Sequence, residues 1–157
     1  MEKFTLVTGG TGYIGSHTSV ALMEAGYQVV IVDNLGNSSK KVLSRIEQIT
    51  GSAPVFIEAD LRDTSTIIEI FSDYPITSVV HFAGLKAVGE SVEEPVKYYD
   101  NNLGSTLSLL DAMASSEVST LVFSSSATVY SPSEIAPFDE AAELGPTNPY
   151  GMSKYFI

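Results

Sequence analysis

The chain has 157 residues, 44% of them hydrophobic and 17% charged, a composition that fits one globular unit and excludes a disordered chain. Acidic residues number 19 against 8 basic ones, and the net charge of −11 repels both nucleic-acid phosphates and anionic membrane surfaces. Cysteine is absent, which excludes disulfides and thiolate chemistry and leaves a cytoplasmic location as the default expectation.

The apolar run that opens the chain meets glycine by Gly9, so it is too short for a signal-peptide core or a membrane span. Residues 4–8 read as a strand, followed at once by glycines and then by a helix-period segment to about Ala25. Residues 28–32, rich in β-branched side chains, read as a second strand ending at Asp33, and residues 38–50 as an amphipathic helix. A third strand at 55–57, a helix at 64–71, a fourth strand at 78–82, a helix at 95–115 and a fifth strand at 120–124 follow. Strands that alternate with helices and are apolar on both faces predict a parallel sheet covered on both sides, hence a Rossmann-type doubly wound α/β fold. Pro132, Pro137, Pro146 and Pro149 mark a functional loop, and a new helix begins near Pro149. The expectation for residues 1–157 is an incomplete cofactor-binding domain, cut about two turns into that helix, with any substrate domain absent.

The turn after the first strand contains Gly10-Thr11-Gly12-Tyr13-Ile14-Gly15 and an overlapping Gly9, Gly12, Gly15 triplet. Glycines here allow a tight turn and let backbone approach a pyrophosphate, with the helix N-terminus facing the anion. Asp33 follows roughly twenty residues on, where a carboxylate accepts from a ribose diol and repels a 2′-phosphate, favouring NAD over NADP. Lys40, Lys41 and Arg45 read as a solvated helix face. Asp60 either accepts from an adenine amino group or caps the helix that starts near Thr64. Phe82, Ala83, Gly84 and Leu85 bring backbone beside a dinucleotide, and Lys86 adds a cation for a phosphate.

Ser124, Ser125 and Ser126 close the fifth strand, while Tyr150 and Lys154, spaced i,i+4, share one face of the final helix. An ammonium beside a phenol lowers its pKa, which makes a phenolate base feasible, and Ser126 can hydrogen-bond the same substrate oxygen. This is a site for removing a hydroxyl proton while a hydride leaves carbon. His17 and His81 are far apart in sequence and read as core histidines with no metal site.

Residues 8–17, 32–35 with Asn37 and Ser38, 81–90, 98–102, 124–130 and 149–154 together resemble the extended short-chain dehydrogenase/reductase family, and the run from His81 to Ser91 resembles its hexose-epimerising members. The resemblance implies tightly held NAD with Gly9, Gly12, Tyr13, Ile14, Gly15, Asp33, Asn34, Leu35, Gly36, Asn37, Ser38, Asp60, Leu61, Phe82 to Lys86, Asn101, Ser124, Tyr150 and Lys154 around it. It implies Tyr150 as base, Lys154 on the nicotinamide ribose, and Lys86, Ser126 and Tyr150 toward a UDP-hexose substrate. The implied reaction oxidises the sugar C4 hydroxyl, turns the keto sugar over and returns the hydride to the other face, interconverting UDP-glucose and UDP-galactose. A homodimer stays open for the full-length enzyme. So do an inactive remnant and a sibling sugar-nucleotide dehydratase or uronate epimerase, although dehydratases often carry acids where Ala127-Thr128-Val129 stand here. The chain departs from the family at Ser131-Pro132, where glycine commonly follows Tyr130, and at Gly104-Ser105. Alone, these residues are expected to show no epimerase activity and at best weak NAD binding.

Overall fold

In a computed structural model, which describes residues 3–157, five parallel strands form one sheet: β1 (Phe4–Thr8), β2 (Gln28–Asp33), β3 (Val55–Glu58), β4 (Ile76–His81) and β5 (Leu121–Phe123). Met1 and Glu2, which begin the apolar opening discussed above, lie outside the described residues. Spatial order is β3-β2-β1-β4-β5, so the chain winds outward from β1 to β3, returns past it to β4, and winds outward again. The helices are α1 (Tyr13–Glu24), α2 (Lys41–Thr50), α3 (Thr64–Asp73), α4 (Val88–Glu93), α5 (Pro95–Ser115) and α6 (Pro149–Tyr155). Among the described residues, no helix is long and apolar enough to cross a membrane.

Two compact units divide the chain. The first runs to Ala83 and resumes at Leu107–Ser124; the second comprises Gly84–Thr106 and Ser125–Ile157.

Strand alternation builds two hydrophobic layers in the first unit. Leu6, Val30 and Val32 point to one face, where Ile67, Ile70 and Phe71 of α3 and Leu109, Ala112 and Met113 of α5 cover them. Val7, Val29 and Ile31 point to the other, against Ile46 of α2 with Val20, Leu22 and Met23 of α1. Each fully buried aliphatic side chain contributes about 1.5–3 kcal/mol. Because both faces are covered, β1 and β2 read in sequence as nearly unbroken apolar runs rather than as alternating ones.

Several expectations need correction. The second helix begins at Lys41 rather than at 38, because Ser38 turns its hydroxyl to Asp33, 3.1 Å away, and to Thr11, 2.7 Å away, and so stays in the loop. The fourth strand runs from Ile76 to His81 instead of 78–82, since buried Ile76 already pairs with Phe4. The fifth strand shortens to Leu121–Phe123. Helix α4 went unforeseen: Val88 and Gly89 are weak helix formers, and the segment is held by Lys97 and Tyr98 of the next helix, which engage Glu90. His17 is exposed, its ring edge-on to Tyr13 at 5.0 Å, so it is no core residue; His81 is buried as expected. Lys40 precedes α2 rather than lying on its face, paired with Glu58 at 2.6 Å.

The C-terminal ends of β1 and β4, where the winding reverses, are tied by a buried pair. Thr8 Oγ1 lies 2.6 Å from His81 Nδ1 and also accepts from the Ala83 amide at 3.3 Å. Thr8→Val keeps the shape but removes that hydroxyl from two polar groups, so it should cost about 1–3 kcal/mol, read as a lowered urea midpoint at unchanged slope.

Candidate functional site

In the first unit the site is built on the turn after β1. A Cβ at Gly15 would overlap the Gly9 carbonyl oxygen, so only glycine lets α1 start so close beneath the turn. Gly12 caps α1 with no side-chain hydrogen bond and the first helical turn carries no acid, which leaves the helix's positive end facing outward. Tyr13 and Ile14 are exposed at that end.

Asp33 ends β2 directly beside it. Its carboxylate accepts from the Thr11 amide at 3.1 Å, the Leu35 amide at 2.9 Å and the Ser38 hydroxyl at 3.1 Å. Three donors fix an acid at the carboxyl edge of the sheet, next to the glycine turn. Thr11 was not foreseen as part of this arrangement; its signal was only its place inside the fingerprint. Asn34 and Gly36 extend the loop, with the Gly36 amide on Asn34 Oδ1 at 3.0 Å, while Asn37 is exposed.

Asp60 does not cap the next helix. Asp63 does, accepting from the Thr66 amide at 3.2 Å, whereas Asp60 is clasped by Arg62 through its amide, Nε and Nη2 and receives Asn34 Nδ2 at 3.4 Å. The Arg62 guanidinium is the main cause that holds the Asp60 carboxyl at about 2. The Leu61 side chain is buried in the larger core. Phe82 and Ala83 pack against the two cores, and the Ser124 amide donates to the His81 carbonyl at 3.1 Å, setting where the chain leaves β5.

The second unit has its own group of candidate residues, built on α6. Asn148 caps it, accepting from the Gly151 amide at 2.8 Å, and Pro149 occupies the first turn, where its missing N–H costs nothing. A Cβ at Gly151 would press on the Thr128 carbonyl, so glycine here lets α6 lie against the short 3-10 turn Ala127–Val129. Ser126 caps that turn, its hydroxyl accepting from the Thr128 amide at 3.2 Å and lying 2.9 Å from Thr128 Oγ1. Ser126 and the α6 residues Tyr150 and Lys154 therefore belong to one packed corner. Ser131-Pro132 is accommodated there by the Ser131 amide donating to the Glu143 carbonyl at 2.8 Å, and Ser105 is buried within an unbroken α5.

The sequence reading missed the residue that joins the parts of this unit. Asn102, 2% exposed, accepts from the Leu85 amide at 2.8 Å, donates to the Leu85 carbonyl at 3.0 Å, and donates to Ser153 Oγ at 2.9 Å. Ser153 in turn donates to the Tyr150 carbonyl at 2.7 Å. Asn101, the expected member of the pair, donates to Asn102 Oδ1 at 3.0 Å. A methyl group placed on Gly84 would lie 3.7 Å from Lys154 Nζ, so the 84–86 loop, Asn102 and the Lys154 head converge. Lys86 is exposed on the same loop. Lys154 itself is buried, and that burial pushes its ammonium down to about 8.

The chain matches the family described as NAD dependent epimerase/dehydratase over residues 5–157. It is 53% identical over 155 residues to a UDP-glucose 4-epimerase of Yersinia pestis, covering 98% of this chain and 46% of that one. A UDP-glucose 4-epimerase of Neisseria gonorrhoeae is 55% identical over 153 residues, with 97% and 45% covered. Among solved structures, UDP-glucose 4-epimerase from Bifidobacterium longum in complex with NAD+ and UDP aligns at a TM-score of 0.95 and 51% identity, covering 98% of this chain and 46% of that one. The chain thus spans a little under half the length of the relatives it matches.

Burial of Lys154 has a thermodynamic signature. Its folded pKa of about 8 lies below the ordinary 10.5, so between these values the unfolded chain binds the extra proton and the Lys154 contribution to stability rises with pH. Lys154→Met removes the titration. The difference in unfolding free energy between native and variant chains should shift in favour of the native chain from pH 8 to pH 10.5, measured by denaturant titration; a flat difference would refute the assignment.

Proposed function

The chain belongs to the NAD dependent epimerase/dehydratase family, and on that premise we propose that it carries the cofactor-binding and acid–base residues of an enzyme that epimerises a UDP-hexose at C4, interconverting UDP-glucose and UDP-galactose. The observation that carries this reading is the packed corner of Ser126, Tyr150 and buried Lys154, with the relatives' names pointing to the substrate class.

The residues of the first unit fit NAD. A glycine turn that side chains would fill, an uncapped helix start and a fixed carboxylate at the end of β2 match a pyrophosphate and a ribose diol. When bound, NAD accepts a hydride from a substrate carbon and gives it back. The protein's task is then to bind, orient and move one proton. Tyr150 takes the proton of the C4 hydroxyl as the hydride leaves and restores it on return. Ser126, whose oxygen is oriented by the Thr128 amide, hydrogen-bonds the same substrate oxygen. Lys154, still largely protonated at neutral pH, places a positive charge in the corner where negative charge develops. Lys86 supplies a cation to a phosphate of the bound ligands.

Two measurements on the full protein test this. Tyr150→Phe should lower UDP-galactose turnover at least about a hundredfold with little change in NAD affinity, and near-normal turnover would remove Tyr150 from the reaction. In equilibrium binding NAD should be held well above NADP, because the Asp33 carboxylate repels a 2′-phosphate; equal affinity would overturn the role given to Asp33.

A further inference from the structure

Lys86 sits on an exposed loop, where a lysine side chain ordinarily samples many positions. Here the backbone on both sides of it is held from α5. Asn102 fixes Leu85 through both its amide and its carbonyl, at 2.8 and 3.0 Å. One helical turn earlier, on the same side of α5, the Tyr98 hydroxyl accepts from the Ala87 amide at 3.0 Å. Tyr98 is fully buried, and its hydroxyl donates to Glu90 Oε2 at 2.8 Å. The second Glu90 oxygen takes Lys97 Nζ at 2.6 Å. A phenylalanine would fill the same space, so the hydroxyl at position 98 is explained by the loop amide it meets and by the carboxylate that orients it. Burial pushes the phenol up from its ordinary value, so its proton stays in place for donation to Glu90.

We propose that Tyr98, oriented by Glu90, is a positioning residue for Lys86, holding the Ala87 amide so that the neighbouring ammonium is presented to a phosphate of the bound ligand. The proposal rests on the reading above in which Lys86 meets a bound-ligand phosphate, taken here as a phosphate of the cofactor. Tyr98 touches no reacting atom; it reduces the freedom of the loop that carries the cation.

Calorimetric NAD binding to the full protein tests this with Lys86→Ala, Tyr98→Phe, their double variant and Glu90→Ala. Tyr98→Phe should weaken NAD roughly threefold to tenfold, the scale of one lost hydrogen bond, and Glu90→Ala should weaken it in the same direction. In the Lys86→Ala background Tyr98→Phe should add nothing, because the group being positioned is gone. Effects that multiply in the double variant would make Tyr98 a general structural residue and overturn the proposal. If Lys86→Ala alone weakens binding while Tyr98→Phe and Glu90→Ala bind as the native protein, the positioning role is wrong and the role of Lys86 stands. Native affinity in Lys86→Ala would remove the cation from the ligand site and the proposal with it. Should Tyr98→Phe not fold, Glu90→Ala decides, since it releases the phenol without touching the core.

Discussion

Everything in the first unit depends on one short strand being buried on both sides. Strand β1 sends Leu6 to one hydrophobic layer and Val7 to the other, and it pairs with β2 on one flank and β4 on the other. A parallel strand cannot reach its neighbour through a tight hairpin, so each pairing demands a crossover with a helix. The crossovers first run away from β1 and then return past it, and the loops that follow β1 and β4 emerge side by side. The glycine turn and the Phe82-Ala83 segment are those two loops, joined by the Thr8 hydroxyl that serves both His81 and Ala83. The meeting of these two loops at one edge is therefore a result of winding order as much as of residue choice.

The strands and most helices were legible because the hydrophobic effect writes them into the sequence with a fixed period. Residues 4–8 and 95–115 were read with the boundaries the structure has, since glycines follow the first and Pro95 opens the second. Boundaries set by a polar side chain were not legible. The start of α2 moved to Lys41 because one serine hydroxyl prefers Asp33 and Thr11 to a helix, and Thr11 stands on another turn, far back in sequence. Helix α4 opens on two weak helix formers, Val88 and Gly89, and is held by Tyr98 and Lys97, which engage Glu90 from α5.

The candidate site divides along the same line. Asp33, Tyr150 and Lys154 stood out as candidates because their spacing carries a mechanism. Asn102 and Ser153 were passed over because what they do is satisfy backbone and hydroxyl groups of residues up to about a third of the chain away. The pair Asn101-Asn102 illustrates the limit: two identical amides stand next to each other, and only the three-dimensional path decides that the second is buried and bridges loop to helix while the first donates to it. Asp60 shows the reverse error, a capping role offered to the wrong aspartate three positions early, since Asp63 stands where the first amides of α3 point.

The Asp60 clasp also bears on how selectivity can arise at a half-buried acid. A carboxylate offers about four good acceptor positions, and here four donors occupy them: the amide, Nε and Nη2 of Arg62 and the amide nitrogen of Asn34. A newcomer with an N–H group cannot simply be added to such a group; it must swap with a resident donor. Swaps between similar hydrogen bonds are nearly neutral in enthalpy, so what is gained depends on whether the displaced arm finds water or another acceptor when it leaves. The acid then works as an exchange point whose preference is set by the freedom of its own neighbours, and a bulky or poorly aligned donor loses the contest without ever meeting a steric wall.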